Sequence, residues 1–94
     1  MQVVWLRTAL NNSDELAAYI SQENPQAASH VLEFIETQVN LLATQPALGR
    51  PGRVLGTREL VVGNTHYLVP YRIKNNTVEV LRVFHTSRKQ PNVG

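Results

Sequence analysis

The spacing of apolar residues changes once along the chain, and this change sets the fold class. Between residues 12 and 42 the apolar residues recur at three- and four-residue intervals, as they do on one face of a helix. From residue 57 to residue 85 they occupy alternate positions, as in strands that bury one face. A loop rich in glycine and proline, residues 46–53, separates the two patterns. A helical half is therefore followed by a half made of strands.

Local signals divide these halves into elements. A β-branched and aromatic run at 2–6 predicts a first strand. Asn12 and Glu15 have the spacing of a capping box, which predicts a helix from there to about Glu23. Asn24 and Pro25 predict the start of a long second helix that runs toward Pro46. The predicted strands of the second half are 57–62, 66–73 and 77–85, joined by turns at 63–64 and 75–76.

The predicted order is β-α-α-β-β-β, and the predicted fold is α+β. Two N-terminal helices are expected to pack on one face of a small antiparallel sheet, because each helix has an apolar stripe that must be buried. Pro70 falls within the second of the three consecutive strands and has no amide hydrogen, so we expect a bulge or an unpaired side there. With 94 residues we expect one domain spanning 1–94.

Charge is distributed unevenly along a chain whose formal net charge is only +2. Residues 1–49 carry one basic residue against five acidic ones, and residues 50–94 carry eight basic residues against two acidic ones. Such asymmetry predicts a polar or charged partner for each half. The chain has no cysteine, no signal-peptide pattern and no long apolar run, so we expect a cytoplasmic protein with no membrane partner.

Arginines on the predicted strands form the most suggestive chemical feature. Alternation places Arg82 and Phe84 on one face of the last strand and His85 on the other. Clustered guanidinium groups suit phosphates or carboxylates, to which they donate paired hydrogen bonds. The candidate target-binding residues are Arg58, Arg72, Arg82, His85 and Arg88. The alternative is that these arginines pair locally, with Glu59 or Glu79, and bind nothing.

Other chemistry has little support in the residues. The histidines, His30, His66 and His85, lack the spacing of a preformed metal site, so we expect neither a metal nor a cofactor. The serines lack an elbow motif, and Gly49-Arg-Pro-Gly52 lacks the ending of a phosphate-binding loop. His85 alone has the chemistry of a general acid or base, although a structural histidine is the simpler interpretation.

An ordered set of short motifs resembles the ParE branch of the ParE/RelE toxin superfamily. The motifs are Val3-Val-Trp5, Tyr19-Ile20, Asn24-Pro25, Leu41-Leu42, Pro46, Gly49-Arg-Pro-Gly-Arg53, Gly56-Thr-Arg-Glu-Leu60, Tyr67-Leu-Val-Pro-Tyr-Arg72 and Val80-Leu-Arg-Val-Phe-His85. The resemblance spans nearly the whole chain. It implies the toxin of a type II toxin-antitoxin pair, one that inhibits DNA gyrase and is neutralised by a cognate antitoxin.

The resemblance leaves a second activity open. RelE-like relatives cleave mRNA in the ribosome, and here Arg82, His85 and Arg88 match positions where such relatives place functional groups. The lysine pair and C-terminal tyrosine of those nucleases are missing, which favours gyrase inhibition without a catalytic residue. The resemblance also implies a hetero-oligomer with an antitoxin whose DNA-binding N-terminus, of ribbon-helix-helix or similar type, contacts operator DNA. The expected antitoxin-binding residues are Leu16, Tyr19, Ile20, Arg53 and Arg58.

Overall fold

A computed structural model describes residues 1–86. The elements are β1 Gln2–Trp5, α1 Arg7–Ser21, α2 Pro25–Asn40, a 3-10 turn Leu41–Ala43, β2 Arg50–Pro51, β3 Arg58–Val61, β4 Tyr67–Lys74, β5 Thr77–Val80 and β6 Phe84–His85. The predicted order of elements is confirmed. The short strand β2 is an addition, and the predicted last strand is divided into β5 and β6.

The strands form one sheet in the order β1-β5-β4-β3-β2, and β6 pairs with the beginning of β4. The α+β class and the packing of two helices on the sheet are confirmed. The sheet is mixed rather than wholly antiparallel, because β1 runs parallel to β5. Two helices and three strands lie between these strands in sequence, which is ample chain for a parallel pairing. In residues 1–86 no helix has the length and apolar character needed to cross a membrane.

The core lies between the helices and one face of the sheet. Leu16 of α1 and Ile35 of α2 pack with sheet residues such as Val69, Tyr71 and Val80. These sheet residues share a face because directly opposed residues, such as Tyr71 and Val80, point to the same side. The other side of the sheet, turned away from the helices, is called the outer face below.

The two helices begin for different reasons. Helix α2 begins as predicted, with Pro25 in its first turn and the Asn24 side chain accepting a hydrogen bond from Ala27 N at 3.1 Å. The predicted cap of α1 at Asn12 is wrong. Helix α1 begins at Arg7, after an uncapped Leu6, and Asn12 lies inside it. Strand β1 ends at Trp5 and only Leu6 separates it from the helix, so Asn12 lies beyond the first turn and cannot cap it.

Pro70 produces the bulge that its sequence position predicts. Tyr71 pairs with Val80, and Leu68 pairs with Phe84. Between these two pairs, the two residues 69–70 of β4 face the three residues 81–83 of the opposing segment. Leu81 N donates to Pro70 O at 2.9 Å, on the side where proline has no amide hydrogen to offer. The bulge therefore separates β5 from β6.

Asn12 supplies the hydrogen bond that the bulge removes from the sheet. Val83 lies in the bulge and is only 4% exposed, and its backbone N donates to Asn12 Oδ1 at 3.1 Å. A buried amide without a partner would be unfavourable, so this contact across 71 residues of sequence stabilises the bulge. It links α1 to the segment that carries Arg82, Phe84 and His85.

Candidate functional site

The outer face of the sheet gathers basic side chains from four segments. Arg72 faces Glu79 across β4 and β5, and Arg50 faces Glu59 across β2 and β3. Because Glu59 is also opposite Pro70, two residues before Arg72, both charged pairs lie on the same face. The basic residues of the outer face are Arg50, Arg53, Arg72, Lys74 and Arg82. They outnumber the two carboxylates of this face, Glu59 and Glu79.

Ion pairs within the chain hold some of these cations. Arg72 Nε lies 2.6 Å from Glu79 Oε1, and the Arg72 side chain is 42% exposed. Glu59 is buried and forms ion pairs with two arginines: Arg50 Nη2 lies 3.4 Å from Oε1, and Arg53 Nε lies 4.0 Å from Oε2. The local ion pair that the sequence offers as an alternative is therefore seen for Arg72. The outer face keeps a net positive charge, because the single carboxylate of Glu59 pairs with two guanidinium groups.

Arg82 adds a cation next to an aromatic ring. Its guanidinium carbon lies 5.2 Å from the centre of the Phe84 ring, a distance that suits a cation–π contact. Phe84 is opposite Leu68, which places both on the outer face together with Arg72. Among residues 1–86, neither Arg82 nor Lys74 has a carboxylate within salt-bridge distance. These two side chains are the cations of the outer face best able to bind an anionic partner.

His85 lies on the other side of the last strand, in an aromatic cluster. It is opposite Tyr67, whose ring meets the imidazole edge to face with ring centres 5.0 Å apart. The ring of His66 lies 5.4 Å from that of His85. The predicted alternation of Arg82 and His85 is thus seen in the structure. The involvement of His66 was missed, because its proximity depends on the register of β4 and β6.

Arg58 does not belong with the other predicted target-binding arginines. It is opposite Tyr71 and so points to the helix side of the sheet. Its Nη1 donates to Gly49 O at 2.6 Å and to Ala47 O at 3.4 Å, which fixes the loop before β2. Arg88, also predicted for this site, lies outside the described residues. The structure therefore brings together Arg72 and Arg82 and separates them from Arg58 and His85.

The residues expected to contact an antitoxin differ in accessibility. Leu16 is 7% exposed and belongs to the core, so it offers little surface to a partner. Tyr19 is 54% exposed, and Ile20 packs partly against the core. Arg53 has a side chain that is 79% exposed. Of the predicted set, Tyr19 and Arg53 present the most surface.

A cavity of about 270 Å³ opens between β1, α1 and α2. Its apolar lining includes Trp5, Leu10 and Ile35, and the carboxylates Asp14 and Glu36 stand at its margin. Leu10, in the first turn of α1, lines the cavity and is 51% exposed. The helical side thus has an apolar depression suited to a side chain from a partner.

The described residues do not assemble a metal site or an obvious catalytic centre. Between residues 1 and 86 no three side chains of histidine, cysteine, aspartate or glutamate are close enough to hold a metal ion. Two of the alternative catalytic residues, Arg82 and His85, are on opposite faces of the strand. A phosphate placed beside the guanidinium of Arg82 would therefore not be next to the imidazole.

Two helices packed on a mixed sheet, with a basic outer face, define the class of this protein as a small α+β domain. Residues 3–90 match the family model described as the ParE toxin of the type II toxin-antitoxin system parDE. The chain belongs to this family of toxins.

Curated relatives and solved structures agree with this membership. The protein named "Putative toxin Y4kP", from Sinorhizobium fredii, is 45% identical over 98% of this chain and 95% of its own length. Toxin RelE2 from Caulobacter vibrioides is 33% identical over 93% of this chain and 97% of its own.

Two structures of toxin-antitoxin systems share the fold. A chain of the chromosomal ParDE system from P. aeruginosa has a TM-score of 0.82 and 27% identity, over 93% of this chain and 97% of that one. A chain of the RelBE2 complex from Mycobacterium tuberculosis has a TM-score of 0.61 and 30% identity, over 89% and 95%. This chain is therefore a ParE-like toxin of the ParE/RelE superfamily, and the similarities support a cognate antitoxin as its partner.

Proposed function

We propose that this toxin stops growth by inhibiting DNA gyrase and that its antitoxin prevents the inhibition. The observation that carries the proposal is the match to the ParE family over residues 3–90. Superposition on the ParDE chain, with a TM-score of 0.82, is also closer than superposition on the RelBE2 chain, at 0.61. The ParE branch is the one that poisons gyrase.

The outer face fits a binding role in such an inhibitor. Arg82 and Lys74 can donate hydrogen bonds to carboxylates of the enzyme or to phosphates of its DNA. A poison needs no proton transfer of its own, because gyrase itself cleaves the DNA and the toxin only has to stabilise the cleaved state. This requirement agrees with the separation of Arg82 from His85 on opposite faces of the strand.

A supercoiling assay tests the proposal directly. Purified toxin is titrated into a reaction of gyrase, ATP and relaxed plasmid. We expect loss of supercoiling and accumulation of cleaved plasmid after protein denaturation. Toxin bound to its antitoxin beforehand is the control and should leave supercoiling intact. Normal supercoiling at toxin concentrations well above that of gyrase would refute gyrase inhibition.

A second candidate function is ribosome-dependent cleavage of mRNA. It is favoured by the two imidazole rings of His66 and His85, 5.4 Å apart, which have the chemistry of a general base and a general acid. Under this alternative, His85→Ala would abolish growth arrest, and His66→Ala would reduce it strongly. Full toxicity of both variants would eliminate the nuclease.

The antitoxin is proposed to use both sides of the toxin. An amphipathic segment would place an apolar side chain in the cavity that Leu10 and Trp5 line, and acidic residues would meet the outer face. Charge pairs of this kind are screened by salt, so the dissociation constant should rise between 50 and 500 mM salt. An affinity unchanged across this range would exclude the charged contacts. Operator binding would then occur through a DNA-binding domain of the antitoxin.

A further inference from the structure

The loop between β2 and β3, residues 52–57, presents two apolar side chains at its tip. Val54 is 68% exposed and Leu55 is 100% exposed. Loop tips are usually polar, and a neighbouring pair of aliphatic side chains in water has no role in the stability of the fold. Exposed apolar groups in such a place are typical of a contact with another macromolecule. Val54 and Leu55 are called the apolar tip below.

Hydrogen bonds within the loop hold the apolar tip in one conformation. Gly52 N donates to Thr57 O at 2.8 Å, and Thr57 N donates to Val54 O at 3.1 Å. The hydroxyl of Thr57 also donates to Val54 O, at 2.6 Å. Gly56 has a φ of 85°, a conformation that glycine adopts without strain. Because the loop is ordered before it binds, little conformational entropy is lost on association.

Positive charge surrounds the base of the tip. The side chains of Arg50 and Arg53 are 57% and 79% exposed and share the single carboxylate of Glu59, which is 9% exposed. Arg53 N also donates to Glu59 Oε2 at 3.2 Å, which ties the base of the loop to β3. Two guanidinium groups thus share one carboxylate, which leaves a net positive charge at the base of the tip. This charge favours a partner with an acidic surface around the pocket that receives the tip.

We propose that the apolar tip is the anchor with which the toxin engages its target protein, by entering an apolar pocket that has an acidic rim. A rigid convex tip of aliphatic side chains requires a concave apolar receptor, and apolar pockets are built by folded proteins rather than by nucleic acids. The antitoxin segment proposed above is itself a ligand that fills a depression of the toxin. The tip is therefore assigned to the target, and Arg53, which the family resemblance predicts to contact the antitoxin, is reassigned to the target with it. This inference rests on the proposed function in one respect, that the target is a protein.

The test is a double variant, Val54→Ser/Leu55→Ser. Both side chains are exposed, so the variant should fold and bind the antitoxin with wild-type affinity. We expect growth arrest to be lost on induction and at least a tenfold higher concentration to be needed for gyrase inhibition. The control is Leu41→Ser/Ile73→Ser, which removes two apolar side chains away from the tip that are less exposed, at 39% and 44%. The control should remain toxic.

Each outcome bears on the inference separately from the proposed function. Full toxicity of the tip variant would overturn the inference. So would loss of antitoxin binding, with or without loss of toxicity, because the tip would then belong to the antitoxin interface or to the fold. If wild-type toxin does not inhibit gyrase but the tip variant still loses growth arrest, gyrase inhibition fails and the tip remains the anchor for a different target.

Discussion

Replacing Asn12 with alanine should destabilise the toxin, although the change improves the helix propensity of α1. Asn12 Oδ1 accepts from the backbone N of Val83, and nothing at an alanine side chain could replace it. Its other contact, from Nδ2 to Glu15 Oε1 at 3.4 Å, is exposed and should matter little. Asn11 provides a matched control, because it lies in the interior of the same helix and is exposed.

The magnitude follows from the burial of Val83. Val83 is only 4% exposed, so leaving its backbone N–H without an acceptor costs about 1–3 kcal/mol. Alanine gains up to about 0.7 kcal/mol over asparagine in a helix interior, and the gain applies equally at both positions. The difference between Asn12→Ala and Asn11→Ala therefore isolates the hydrogen bond at about 1–3 kcal/mol. In a domain of this size, 1 kcal/mol corresponds to roughly 4–8 °C in Tm.

Urea denaturation followed by fluorescence measures this difference, since Trp5 is the only tryptophan. We expect Asn11→Ala to be neutral or slightly stabilising and Asn12→Ala to have a clearly lower midpoint. Amide exchange at Val83 should also be faster in Asn12→Ala. Equal free energies of unfolding for the two variants, to within the roughly 0.3–0.5 kcal/mol on which independent effects add, would refute the coupling between α1 and the bulge.

Two further changes test the loop before β2 and the start of α2. The Tyr71 hydroxyl accepts from Gly49 N at 2.9 Å and donates to Pro46 O at 2.7 Å. Tyr71→Phe removes both hydrogen bonds and should lower the free energy of unfolding by about 1–3 kcal/mol. An unchanged urea midpoint would contradict this expectation. Asn24→Ala removes the acceptor for Ala27 N and should cost about 0.5–2 kcal/mol, measured in the same way, whereas Asn24→Ser should restore most of it.

Local sequence signals predicted the elements whose causes are local. Asn24 and Pro25 define the start of α2 because proline and a capping side chain act on neighbouring residues. Asn75 and Asn76 have φ of 51° and 58°, as the hairpin between β4 and β5 requires, and asparagine tolerates this conformation. Pro70 predicted a bulge because a missing amide hydrogen acts at a known position of a strand.

Features that depend on distant contacts were not predictable in this way. Asn12 has the spacing of a helix cap, yet its acceptor serves Val83, 71 residues away. Likewise, nothing near β1 in sequence indicates that it would run parallel to β5. Both depend on how the helices cross back over the sheet, which is set by packing of the whole core.

The candidate site was predicted in part for a similar reason. Period-two alternation correctly separated Arg82 from His85, since it concerns one strand. Grouping Arg58 with Arg72 required the register between strands, and a shift of one residue reverses the face. The register places Arg58 beside the backbone of Ala47 and Gly49 instead. The pairing of Arg72 with Glu79 depends on another register, the one between β4 and β5.

Analysis of both the DNA and the transcripts from one arrested culture is the most direct test of gyrase inhibition in the cell. After the toxin is induced without its antitoxin, chromosomal DNA is examined for breaks that are covalently linked to gyrase, and mRNA is examined for new ends inside coding sequences. We expect linked breaks to accumulate while transcripts stay intact. Unbroken DNA together with cleaved transcripts, in cells that have stopped growing, would contradict gyrase as the target.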